Sequence, residues 1–104
     1  MLLSFSFKNC ILNFSSFSRL KLRNVKFKDC SLREVDFSET DLFGAVFYDC
    51  DLSGVNFNNT VLENADFRTV NNYSIDPENN RIKKAKISLF GVVGLLDKYN
   101  IKIE

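Results

Sequence analysis

Taken at every fifth residue from Leu2, the chain reads Leu2, Phe7, Leu12, Phe17, Leu22, Phe27, Leu32, Phe37, Leu42, Phe47, Leu52, Phe57, Leu62, Phe67. Fourteen successive positions are Leu or Phe, and the two alternate without exception. A second register runs two residues earlier, through Phe5, Cys10, Ser15, Leu20, Val25, Cys30, Val35, Thr40, Ala45, Cys50, Val55, Thr60 and Ala65. It is mostly small or β-branched and never charged. The positions between are mostly Asp, Asn, Ser, Lys, Arg, Glu and Gly. A helix needs apolar residues three and four apart, and a strand needs sustained alternation. Neither fits. A short extended segment followed by a corner does, and four such segments close a squared turn of about 20 residues. The next turn then lies about 4.8 Å away, with backbone groups paired between turns. The predicted product is an all-β solenoid.

Residues one turn apart share a column, so Leu2, Leu22, Leu42 and Leu62 form one interior ladder and Phe7, Phe27, Phe47 and Phe67 the next. Leu12, Leu32 and Leu52 face the first, while Phe17, Phe37 and Phe57 face the second. Leu therefore meets Leu and Phe meets Phe, with stacked rings about 5 Å apart, within aromatic-pair range.

Ala45-Val-Phe-Tyr-Asp49, Val55-Asn-Phe-Asn-Asn59, Ala65-Asp-Phe-Arg-Thr69 and Cys50-Asp-Leu-Ser-Gly54 follow the unit A-(D/N)-L-x-x. In these residues the chain resembles the pentapeptide-repeat family. The resemblance implies a right-handed quadrilateral β-helix over residues 1–70, about 3.3 coils. Some bacterial members confer quinolone resistance by presenting a rod of DNA-like width and charge to DNA gyrase or topoisomerase IV, and dimerise through a C-terminal helix. A type II topoisomerase is accordingly the specific partner that the resemblance suggests. The other reading is a structural scaffold or interaction module with a different partner, or a truncated family member without activity.

Residues 71–104 form the remainder. Ile75-Asp-Pro-Glu-Asn-Asn80 reads as a turn, with Asp76 able to bond locally and Pro77 fixing φ. Arg81–Ile87 is basic and extended, lying along the last coil. Ser88 is placed to N-cap an α-helix over about 89–99, with Asn100 as its stop. Leu89, Phe90, Val92, Val93, Leu95 and Leu96 are too many apolar residues for one narrow stripe, so this helix should bury two faces. One would cover the open end of the solenoid and the other would receive a second chain, giving a homodimer. Ile101–Glu104 reads as a short strand. The repeat begins at Met1 or Leu2 with no cap before it, which leaves open a disordered first coil, one masked by self-association, or a truncated product of a longer protein.

The chain has no histidine, which removes Ser-His and Cys-His dyads and histidine acid–base work. A convex rod offers no pocket, so neither enzyme activity, cofactor nor small-molecule substrate is expected. Cys10, Cys30 and Cys50 fall in one small-residue column, which is no tetrahedral metal site, and they read as buried, inert packing. Three thiols cannot all pair, and no basic leader precedes the apolar start, so they are expected to be reduced in a cytoplasmic protein. No apolar run is long enough for a membrane span, and a net charge of +1 calls for no direct nucleic-acid contact.

Charge is uneven along the chain. Residues 1–33 carry seven Lys and Arg against Asp29 alone, whereas residues 34–66 carry eight acids and no Lys or Arg. One reading is an acidic recognition surface formed by Asp36, Glu39, Asp41, Asp49, Asp51, Glu63 and Asp66, with the outward aromatics Phe43 and Tyr48 as anchors. The plainer reading is that Asp and Asn beside a corner bond the turn backbone. Projected on four faces the acids are scattered.

Overall fold

The computed structural model describes residues 5–70 and 72–101. Leu2, the first member of its column, and most of the expected 101–104 strand lie outside them. Five short strands, β1 (Ser6–Lys8), β2 (Lys26–Lys28), β3 (Val46–Tyr48), β4 (Asp66–Phe67) and β5 (Lys86–Ile87), form one parallel sheet in sequence order. Phe7 pairs with Phe27 and Phe27 with Phe47, and in the last pair Phe67 aligns with Ile87. Three further ladders of parallel bridges share that step. The second runs Ile11, Ser31, Asp51; the third Ser16, Asp36, Asn56; the fourth Lys21, Asp41, Val61, Arg81. Each turn thus carries four pairing segments, and the stack forms a β-solenoid within a rod of 45 × 24 × 22 Å.

The hydrogen bonding explains the period. Ser31 N–H donates to the Cys10 carbonyl (2.9 Å) in one neighbouring turn, and Leu32 N–H donates to the Asp51 carbonyl (2.9 Å) in the other. Two residues beyond each inward Leu or Phe the chain turns its corner. That residue adopts a left-handed conformation at Asn9, Phe14, Arg19, Asn24, Asp29, Glu34, Glu39, Gly44, Asp49, Gly54, Asn59, Asn64 and Lys84, with φ between 51° and 71°. An i to i+3 bond closes most corners, as from Val25 N–H to the Leu22 carbonyl (3.1 Å).

The interior matches the columns read from the sequence. Rings one turn apart stack nearly parallel with centroids 5.0–5.7 Å apart, from Phe7 on Phe27 to Phe47 on Phe67. The facing Phe column meets them edge-on at 5.8–6.4 Å. Leu32, Leu42, Leu52 and Leu62 are fully buried.

Parallel pairing continues beyond residue 70. After an irregular passage, Ile75 is buried in the core, and Asn80 takes the slot one turn from Thr60. Strand β5 comes next, with Ile82 and Ile87 in the Leu62 and Phe67 columns.

The expected C-terminal α-helix is absent. Phe90–Leu95 and Asp97–Tyr99 are two short 3-10 segments instead. Gly91 and Gly94 with Val92 and Val93 have low helix propensity, and tertiary contacts favour the tighter winding. Ser88 does bond the chain entering the first segment, its Oγ accepting from Gly91 N–H (3.1 Å). Asn100 is left-handed (φ 52°) and ends the second.

Two mutations test this account by denaturant unfolding. Phe37→Ala removes a fully buried ring stacked on both sides and should cost roughly 3–5 kcal/mol. Phe14 is exposed yet left-handed, so Phe14→Asn should stabilise by about 1 kcal/mol, because Asn enters that region with less strain; a loss of stability would show that the ring contributes packing.

Candidate functional site

Most of the acids proposed as a recognition surface are engaged within the chain. Those just before an inward Leu or Phe accept a hydrogen bond from the backbone N–H two residues on: Asp36 from Ser38 (2.8 Å), Asp41 from Phe43 (3.1 Å), Asp51 from Ser53 (3.0 Å) and Asp66 from Arg68 (3.0 Å). These carboxylates brace corners. The Ser53 hydroxyl and N–H hold Asp51 below the usual carboxylate range, and the Arg68 guanidinium does the same for Asp66.

Ion pairs take most of the rest. Arg19 meets Glu39 at 3.0 Å, Arg68 meets Asp66 at 2.9 Å, and Arg23–Asp41, Arg33–Asp51 and Arg81–Glu63 lie at 3.8 Å. Four of the five join adjacent turns, so the basic and acidic halves of the sequence neutralise each other across the stack. These pairs are exposed and individually worth little. Their effect is on the field presented to a partner.

Phe43 is half-buried under the Arg23 guanidinium, 4.5 Å from its ring centre. Tyr48 remains exposed on the sheet face, with Lys28 Nζ 5.7 Å away, and Asp49 is exposed at the adjoining corner. The nine candidate residues are distributed over all four ladders rather than brought to one surface.

The apolar residues assigned to self-association lie at the C-terminal cap. Tyr73 lies on Phe67 with ring centres 5.1 Å apart and closes the interior. Gly91 and Gly94 pack against Tyr73 so closely that a Cβ at either would collide with it, and Gly94 O accepts from Ile75 N–H (3.0 Å). With the glycines inward, Leu89, Phe90, Val92 and Val93 are exposed. Leu95 packs partly on the core and Leu96 is half-buried. The Tyr73 hydroxyl is buried, without a hydrogen-bond partner among the described residues.

Cys30 and Cys50 are buried, whereas Cys10 is only half-buried, and the column does more than fill space. Cys30 Sγ donates to the Phe7 and Lys28 carbonyls (3.4 and 3.3 Å), and Cys50 Sγ to those of Phe27 and Tyr48 (3.3 and 3.4 Å). Thr40 and Thr60 do the same in the facing column, and Asn80 bonds the Phe57 carbonyl there. Sequence reading assigned these slots by size and missed their donor role. Its signal was that three successive facing slots, at 40, 60 and 80, hold hydrogen-bonding side chains. Among the described residues, no group of acids and cysteines is arranged to hold a metal ion.

The family model for the pentapeptide repeat region matches residues 1–67. The chain belongs to the pentapeptide-repeat family. Solved structures that it resembles include full-length QnrB1, a plasmid-mediated fluoroquinolone resistance protein, at 20% identity and a TM-score of 0.45, over 96% of this chain and 47% of that one. Another is the pentapeptide repeat protein Rfr23 from the cyanobacterium Cyanothece 51142, at 20% identity and a TM-score of 0.34, over 82% of this chain and 61% of that one. This chain thus spans about half the length of QnrB1. No curated protein matches it.

Burial raises Cys30, Cys50 and Tyr73, and all three contribute to the response to alkali. Burial pushes Cys50 from 9.0 up to about 11 and Tyr73 from 10.0 up to about 12. Each keeps its proton in the folded state at pH values where the unfolded chain has lost it. The stability these groups contribute is therefore full below about pH 9 and is lost as pH rises through 11 and 12. Tyr73→Phe should leave the protein as stable or up to roughly 1–3 kcal/mol more stable at pH 8, since it removes an unpartnered hydroxyl. It should also flatten the decline above pH 10; urea titrations at pH 8 and pH 11 would show both.

Proposed function

We propose that this protein is a non-enzymatic, protein-binding β-solenoid that self-associates through its C-terminal cap. The single observation carrying this is the outward display of Leu89, Phe90, Val92 and Val93 from a segment whose glycines are committed to the solenoid end. Contiguous exposed apolar side chains mark an interaction surface. The reading takes the coil as quadrilateral, supported by four pairing ladders per turn, and as right-handed, as membership of the family suggests. It also places the protein in the cytoplasm, where three free cysteines stay reduced.

Sedimentation equilibrium tests the reading. The full chain should run at twice its 12.0 kDa mass, and Leu89→Asp with Val92→Asp should yield a folded monomer, because both side chains are exposed. A monomeric parent chain overturns self-association.

A second reading, a DNA mimic directed at a type II topoisomerase, is favoured by the slender 24 × 22 Å cross-section of the rod. The internal pairing of Glu39, Asp41, Asp51, Glu63 and Asp66 weighs against it. A gyrase supercoiling assay with and without quinolone decides: no effect at high protein excess excludes this reading and leaves the first standing.

A further inference from the structure

All five arginines of the chain are in ion pairs. Among the described residues Lys98 also pairs, bridging Asp76 and Glu78. Seven other described lysines remain, exposed and in no ion pair among the described residues: Lys8, Lys21, Lys26, Lys28, Lys83, Lys84 and Lys86, the last standing opposite Asp66 in the sheet register and acting on that carboxylate from beyond ion-pair distance. The register places every one of them on the β1–β5 sheet, the fourth ladder, or the corner between the two. The acids on that surface, Asp41, Glu63 and Asp66, are held by Arg23, Arg81 and Arg68. Glu39, Asp51, Asp76 and Glu78 are ion-paired outside it, and the described acids in no ion pair are Asp29 and Asp49 at the far edge of the sheet, Glu34 and Asp36 beyond the second ladder, and Asp97 on the cap. The free charge is therefore one-sided around the axis.

Its spacing is also ordered. Lys21, Lys26 and Lys28 lie on one turn, and Lys83, Lys84 and Lys86 on the turn three steps along. At about 4.8 Å per step the two rows stand about 14 Å apart. Between them runs a strip containing Gly44, Val46 and the exposed Tyr48, with no unpaired charge among its described residues.

We propose that this lysine face binds duplex DNA through its phosphate backbone, the two rows engaging phosphates on either side of a groove. The row separation suits the major groove, about 12 Å wide. Lysines are point charges suited to phosphate, and phosphate contacts supply non-specific affinity. An anionic membrane is disfavoured because the most exposed apolar residues lie outside the lysine field, Leu89 and Phe90 past β5, Ile11 on the second ladder and Phe14 at the corner after it. This surface does not overlap the cap, so the proposal stands or falls independently of self-association.

Fluorescence anisotropy with the full chain and a labelled 20-base-pair duplex at 50 mM salt tests it, with a single strand of equal length, polyglutamate and phosphatidylserine vesicles as parallel arms. Duplex binding is expected with a dissociation constant of roughly 1–100 µM and steep weakening by salt. Lys26→Gln/Lys28→Gln/Lys86→Gln should lose at least tenfold in affinity and flatten the log–log salt slope by about 2 to 3. A control with the same change in net charge on other faces, Ser16→Asp/Asn56→Asp/Asn59→Asp, should stay within about twofold by the same reasoning. Circular dichroism verifies that both variants are folded. Absence of duplex binding, equal losses in the two variants, or equal or tighter binding of any other probe overturns the proposal.

Discussion

Parallel backbone pairing between residues one turn apart governs the molecule. Each turn is built over another, so inward side chains must stack at the spacing of the backbone ladder, about 4.8 Å. Flat rings tolerate that spacing, and the Phe columns keep it with planes within 8–13° of parallel. The opposing column then has to fit edge-on, as its 60–86° angles show. Alternation of Leu with Phe keeps like opposite like, so the interior is filled without a change of width along the rod. Five residues per segment is the other half of the constraint, because each segment must end in a left-handed corner before the next begins.

The same ladder decides what the polar residues do. Arg19 reaches Glu39 and Arg33 reaches Asp51 because neighbours in space are about one turn apart in sequence. A chain basic in its first third and acidic in its second therefore becomes a stack with most of its acids satisfied. The donors at Cys30, Cys50, Thr40, Thr60 and Asn80 obey the same logic, since buried carbonyls facing the interior need partners. Which charges stay unpaired is set by register rather than linear order, and for that reason the free lysines collect on one side.

Much of the fold was legible in the sequence because its signal is repeated. Leu and Phe at every fifth position specify both the columns and their facing partners. The left-handed corners were also written there, in Asn9, Asn24, Asp29, Gly44, Asp49, Gly54, Asn59 and Asn64, but Phe14, Arg19, Glu34, Glu39 and Lys84 occupy equivalent corners and blur the pattern. The return of the coil at Asn80–Ile87 was obscured by the irregular passage before it and by Ile82 and Ile87 standing where Leu or Phe had been. Candidate site residues were read less well. Asp36 and Asp66 look like recognition groups in a linear acidic run, yet their carboxylates bond the backbone two residues on. Free and spent charge cannot be distinguished until neighbours across turns are known.

At the cap, packing overrides the helical pattern of residues 89–99. A stack of Phe rings ends in an exposed aromatic face, here that of Phe67, and Tyr73 covers it. The backbone that covers Tyr73 must approach within the space a side chain would occupy, so it presents Gly91 and Gly94, three residues apart and on one side of a three-residue-per-turn winding. An α-helix with Leu, Phe or Val on its inner face would stand further off and lose the Ile75–Gly94 bond. With glycine as the inner surface, Leu89, Phe90, Val92 and Val93 have no inward direction and face solvent as a result. Closure of the solenoid and exposure of an apolar end are thus one event: the contact that seals Tyr73 is the contact that turns the apolar side chains outward.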